Sequence, residues 1–207
     1  MLKCRRILLR DWLQQWLESE VSGSVKDSSY QTYLRQIQTH LIPKLVDLET
    51  TGLQPVTDDI IEMAALRVEN GQITSEYQCF IRTEKPIPPA ITELTGITSQ
   101  TLKQKGVSLD QAMQGLLDLA GQVPLVFHNA AFDHRFLLMA CKRYAIDALP
   151  NRVEDTLALA RRKLKHLPDY KLSTLATHFG IAQTTSHRAM DDCRTTCELY
   201  IKLNENG

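Results

Sequence analysis

Apolar and polar positions along this chain follow two different periods. Ile7, Leu8, Trp12, Leu13, Trp16 and Leu17 recur at helical spacing, and Val21-Ser22-Gly23-Ser24 breaks that pattern. A second amphipathic helix starts near Asp27 or Ser28. It carries Tyr30, Tyr33, Leu34, Ile37 and Leu41 on one side and ends at Pro43. The pattern then becomes extended. Residues 44–49 read as a strand, and 60–68 and 72–81 as two more, rich in apolar and β-branched residues. Asn70-Gly71 between the latter two predicts a tight hairpin turn. Pro86-Ile87-Pro88-Pro89 is a stiff connector, followed by short helical turns at 90–94 and 98–103. Ser108 caps a helix with Leu109, Met113, Leu116, Leu117 and Ala120 on its apolar side. Residues 123–127 are continuously apolar, which predicts a buried strand. A helix over 132–144, a short strand over 151–155 and helices over 156–163, 172–179 and 188–203 complete the pattern. A hairpin followed by strand–helix alternation predicts an α/β domain over 43–207, a central mixed sheet flanked by helices. Residues 1–42 form a helical extension, with Trp12 and Trp16 expected to anchor it on the domain.

Composition adds little to this picture but removes some classes. The 207 residues are 43% hydrophobic and 23% charged, with zero net charge, which excludes a uniformly basic surface but not a local basic groove. Five cysteines without a C-x-x-C pair argue against a disulfide framework or zinc site. Cys193 and Cys197 share a helix face and are expected to be buried thiols. No apolar run approaches a membrane span, and Ile7-Leu8-Leu9 is too short for a signal core. The expected compartment is a reducing cytoplasm.

Candidate chemistry begins at Leu45-Val46-Asp47-Leu48-Glu49-Thr50-Thr51-Gly52. Alternate residues of a strand share a face, so Asp47 and Glu49 stand side by side at the end of a buried strand. Carboxylates are seldom buried unless they are paired or bind a metal, and a hard divalent cation is the natural compensation. A second polar cluster, His128-Asn129-Ala130-Ala131-Phe132-Asp133, follows the apolar run 123–127 directly. Ligands of open α/β sheets bind beyond strand ends, although Asp133 is also good chemistry for a first helical turn. The third cluster is His187-Arg188-Ala189-Met190-Asp191-Asp192, in which either Asp191 or Asp192 could join His187.

In this order the three clusters resemble the DEDDh 3′–5′ exonucleases, especially the proofreading (epsilon) subunits of bacterial DNA polymerase III. The family's Asp-x-Glu-Thr-Thr-Gly is matched at 47–52 and its His-Asn-Ala-x-Phe-Asp at 128–133. Its His followed five residues later by Asp is matched by His187 and Asp192, which selects Asp192 over Asp191. The segments Ile87-Pro88-Pro89, Leu94-Thr95-Gly96-Ile97-Thr98, Asp155-Thr156-Leu157-Ala158 and Leu172-Ser173-Thr174-Leu175-Ala176 are similar too. The resemblance covers about 44–203 and implies a ribonuclease H-like fold. It implies that Asp47, Glu49, Asp133 and Asp192 hold two Mg²⁺ or Mn²⁺ ions, with Asp47 bridging them, and that His187 is the general base. Two such ions activate water and stabilise the leaving oxygen, and an imidazole titrates near neutrality.

The implied substrate is a single-stranded DNA 3′ end, released as nucleoside monophosphates. Leu48, Thr50, Thr51, Leu53 and Phe132 are candidates for the terminal-nucleotide pocket, because apolar stacking tolerates any base. Arg161, Arg162, Lys163, Lys165 and Lys171 form a cationic cluster, of which Arg161 and Arg162 are candidate phosphate contacts. An exoribonuclease of the same superfamily and a non-catalytic nucleic-acid-binding subunit are the alternatives. The expected partner is a polymerase or repair protein bound through the N-terminal helices. The sequence stops at Gly207, short of the C-terminal tail of proofreading subunits, so a stand-alone enzyme is expected.

Overall fold

In the computed structural model, which describes residues 16–205 apart from 31, 34–43, 70–71, 122, 145–150 and 184–186, β1 (Lys44–Thr50) is the middle strand of a five-stranded sheet. The order is β3-β2-β1-β4-β5. β2 (Ile60–Glu69) and β3 (Gln72–Phe80) run antiparallel to their neighbours. β4 (Leu125–Phe127) and β5 (Val153–Asp155) run parallel to β1. The sheet is therefore mixed, as its sequence pattern predicts. The predicted Asn70-Gly71 turn and most of the N-terminal extension lie outside the described residues. Of that extension, Leu17–Val21 forms a π-helical turn with Leu17 and Val21 buried, and 27–30 are helical.

Two short helices, α1 (Pro89–Thr95) and α2 (Ser99–Lys105), follow the hairpin, and Ile97 and Leu102 pack on Ile61. α3 (Leu109–Ala120) opens with a capping box made by Ser108 and Gln111. Together with α4 (Ala130–Arg143) it covers one sheet face. Met113, Leu116, Phe136 and Leu137 meet Val46, Leu48, Met63 and Phe127 there. α7 (Ala189–Glu205) covers the other face, where Ala189, Cys193, Cys197 and Tyr200 meet Leu45, Ala64, Leu66 and Val126. α5 (Thr156–Lys163) and α6 (Leu172–Phe179) close around α7 through Ala160, Leu175, Leu199 and Leu203. Cys193 and Cys197 are buried thiols in this layer.

Some boundaries depart from the sequence pattern for local reasons. β4 is shorter than the apolar run 123–127: the Pro124 carbonyl accepts the first rung of the ladder, from Lys44 N, Pro124 has no N–H of its own to give, and the Val123 carbonyl is taken by Asn151 Nδ2. β5 begins at Val153 because Asn151 is occupied by this clamp, which also reaches the Gly121 carbonyl. α4 starts at Ala130, two residues early, because Asn129 adopts the left-handed conformation just before it. α7 starts at Ala189 because His187 is likewise left-handed, with φ 60°.

Candidate functional site

β1 pairs with β4 only at Lys44 and Leu45, whereas its ladder with β2 continues to Thr50. Beyond Leu45 the two parallel strands part, and chain connections leave their ends in opposite directions. This is a topological switch point, where open α/β sheets form a crevice. The row of β1 that faces α7 reads Leu45, Asp47, Glu49, so one face passes from core to acidic crevice within the strand. Asp133 in the first turn of α4 is buried and accepts a hydrogen bond from the Leu48 backbone N–H. Asp192, in the first turn of α7, closes the set from the other face. Glu49, His187 and Asp192 each offer a ligand atom within 4.8 Å of the others.

Electrostatics in this cluster run against ionisation. Burial, reinforced by the charges of Asp133, Asp192, Glu49 and Glu62, holds Asp47 well above the usual carboxylate range. Burial and then Asp192 and Glu62 push Glu49 up to about 8, against the opposing pull of Arg188. Burial raises Asp133 despite the backbone N–H groups of Asp133 and Leu48. Asp192 is also raised by burial, with the His187 backbone N–H opposing. Four acids gathered where each is costly to ionise offer oxygen donors of the kind that hard divalent cations take. An ion there would offset both the desolvation and the mutual repulsion.

The acids open into a cleft of about 970 Å³ lined by Asp47, Leu48, Glu49, Phe132, His187 and Asp192 on one side. Arg161, Tyr170 and Lys171 line the other. Arg161 lies over the Tyr170 ring, 5.9 Å from its centroid. Phe132 also packs on Phe136, with ring centroids 5.0 Å apart, so it serves both core and cleft. His128 joins the two walls: Nδ1 is 2.9 Å from Thr156 Oγ1 and Nε2 is 3.1 Å from the Tyr170 carbonyl. Burial holds its imidazole below the ordinary value. Asp155 fastens the same corner by accepting from Asn129 N and Leu157 N.

Asp133, buried behind the others, is not in the lining of this cleft, and neither are Lys163, Lys165 and the candidate substrate contacts Thr50, Thr51, Leu53 and Arg162. Thr50 Oγ1 donates to the Gly52 carbonyl, and Thr51 Oγ1 accepts from Asp59 N, so both buried hydroxyls shape the turn after β1. A Cβ at Gly52 would meet Asp58 Oδ2 at 2.5 Å, so any side chain there would displace the Asp58 carboxylate that accepts from Gln54 N. Leu53 is 72% exposed beyond that turn. Arg162 is exposed, and its neighbour Lys163 donates to the Leu203 carbonyl. Sequence reasoning passed over Glu62, Tyr170 and His128's partners. Glu62 carried the same signal as Asp47, a lone acid within an apolar strand.

A family model described as Exonuclease (RNase T) matches residues 45–200. A second, described as the N-terminal SAM-like domain of phage integrases, matches residues 8–56. The PolC-type DNA polymerase III of Thermotoga petrophila is 33% identical over 193 residues, covering 93% of this chain and 14% of that protein. The same enzyme from Caldanaerobacter subterraneus is 36% identical over 159 residues, 77% of this chain and 11% of the polymerase. The chain thus spans about a seventh or less of these relatives. A structure of Exonuclease X in complex with 5′ overhanging duplex DNA is similar at a TM-score of 0.66 and 26% identity, covering 80% of this chain and 92% of that one. E. coli Exonuclease I in complex with a dA16 oligonucleotide shares the fold, with a TM-score of 0.68 and 22% identity over 77% of this chain and 40% of that one. No helix among the described residues is long and apolar enough to cross a membrane.

Proposed function

Because the chain belongs to the exonuclease family whose model spans residues 45–200, we propose that it is a metal-dependent 3′–5′ exonuclease acting on single-stranded DNA ends. The observation that carries this reading is the meeting of Asp47, Glu49 and Asp192 with His187 in the lining of one cleft, the buried Asp133 carboxyl standing beside Asp47. Two Mg²⁺ or Mn²⁺ ions held by these four acids would supply an activated water and neutralise charge on the departing 3′ oxygen. His187, exposed at the rim, takes the proton from the attacking water. Its backbone N–H donates to Asp192 Oδ2 at 3.1 Å, which ties the base to a metal-ligand carboxylate. Leu48 and Phe132 present apolar surface to the terminal base, and Arg161 and Lys171 meet phosphates across the cleft. Arg161 and Lys171 thus bring positive charge, beside Asp169, into the same cleft as the acids. The relatives' polymerase context and the complexes of Exonuclease X and Exonuclease I with DNA favour DNA as the substrate.

The test is stepwise shortening of 5′-labelled DNA and RNA strands of matched sequence, with Mg²⁺, with Mn²⁺ and with chelator. DNA should shorten from its 3′ end only with metal. Substituting His187→Ala should lower kcat by about 10²–10⁴-fold while Mn²⁺ binding persists. Near-normal turnover in that variant would refute its role as base, and faster cleavage of RNA would reassign the substrate.

A further inference from the structure

Glu62 is 0% exposed and lies in the apolar run of β2, directly across the ladder from Glu49. Its carboxylate is fully occupied. Oε1 accepts from Gln78 Nε2 at 2.8 Å and from Arg188 Nη2 at 2.9 Å. Oε2 accepts from Arg188 Nε at 3.2 Å and from the backbone N–H of Ala189, also at 3.2 Å. The Arg188 guanidinium is further supported by the Phe80 ring, 5.6 Å away at its centroid. These contacts grip the two residues that follow His187.

That grip matters because His187 is left-handed, a conformation that a non-glycine residue keeps only where its surroundings over-determine it. On one side its N–H is held by Asp192 Oδ2, and Asp192 N donates to the Arg188 carbonyl at 3.0 Å. On the other side stands the Glu62 clamp on Arg188 and Ala189. The links close a circuit from Glu49 across the ladder to Glu62, through the start of α7 to His187 and Asp192, and back to Glu49 across the cluster.

We propose that Glu62 is a positioning residue, which through Arg188 and Ala189 sets His187 and Asp192 at their working distance from Glu49. This rests on the exonuclease reading of the site. The carboxylate touches neither strand nor reacting atoms, so its effect appears in kcat and in metal affinity rather than in strand binding. A carboxylate behind a metal site commonly governs affinity or activity by about 10–100-fold, and a 1 Å misplacement can cost about 10²-fold.

Two variants test it: Glu62→Gln, which keeps the shape but turns one acceptor into a donor, and Arg188→Lys, which keeps the charge but loses the two-pronged contact. Folded fraction is measured by circular dichroism melting, and Mn²⁺ affinity by calorimetry without DNA. Glu62→Gln should lower kcat by about 100-fold and Arg188→Lys by about tenfold, with KM for the strand within about twofold. Mn²⁺ affinity should fall by about tenfold in Glu62→Gln, and the pH–rate profile should move. Activity lost only in proportion to folded fraction, with unchanged Mn²⁺ affinity and pH profile, would overturn the proposal, as would a wild-type kcat in both variants. A wild-type chain that released no mononucleotides would instead overturn the exonuclease reading.

Discussion

Replacing Glu49 by glutamine should make the metal-free protein more stable while destroying its use. Glu49 stands at about 8 against an ordinary value of 4.5, because burial, Asp192 and Glu62 all disfavour its charge. That displacement, at 1.36 kcal/mol per tenfold change in proton affinity, is about 4–5 kcal/mol. Loss of the native carboxyl's own contacts and local relaxation reduce this to an expected gain of about 2 kcal/mol. For a chain of this size that is about 4–8 °C in Tm. The sign follows from linkage. Between 4.5 and about 8 the folded wild type holds a proton that the unfolded chain releases, so its stability falls as pH rises through that window. Glutamine removes this slope. The difference should be absent below the ordinary carboxyl range, grow through neutrality and level off above about 8. Calorimetric scans in chelator from about pH 4.5 to about pH 8.5 measure it. Adding Mn²⁺ should reverse the ranking, since a ligand that binds only the folded state raises wild-type Tm. A variant no more stable than wild type at high pH, or with an unchanged slope, would refute the strained-acid account of this site.

Three further outcomes follow from other parts of the molecule. Gly115→Ala should cost about 1–2 kcal/mol in denaturant titrations, because its Cβ would meet Tyr77 Cζ at 2.4 Å while the Tyr77 hydroxyl is bonded to the Ala112 carbonyl. The same change in a Tyr77→Leu background should be neutral or stabilising. Arg161→Gln should weaken single-strand binding and flatten its salt dependence by about 0.7 in slope, whereas Arg162→Gln, outside the cleft lining, should leave both unchanged. Asp155→Ala removes the acceptor for Asn129 N and Leu157 N, so amide exchange should quicken at the start of both α4 and α5.

Residues whose side-chain direction follows from strand alternation are readable in the sequence. Asp47 and Glu49 project together because β1 is regular up to the shift at Thr50. Past that point alternation stops predicting direction, and Thr50, Thr51 and Leu53 go to the turn or to solvent instead of the cleft. Arg161 and Arg162 illustrate the helical equivalent: adjacent positions differ by about 100° around the axis, so only one lines the cleft. The left-handed His187 and Asn129 shifted two helix starts; both types are enriched in that conformation, but enrichment alone does not say which copy adopts it. Glu62 was hidden in plain view. Its partners Gln78 and Arg188 come from another strand and from the far end of the domain, and no spacing rule connects them.

The four acids also enter in a revealing sequence. Asp47 and Glu49 sit on the first strand, Asp133 near the middle, and Asp192 on the last helix, which is itself seated on β1 and β2. Proteins are made from the N-terminus onward, so a growing chain displays most of its acids long before the final one exists. Until α7 docks, the oxygen set is incomplete and His187 has no fixed place. On the proposed reading, a chain whose α7 has not yet docked holds neither the full acid set nor a placed base. A partial opening that peels α7 from the sheet would likewise carry Asp192 and His187 away from Glu49 while the strands still hold.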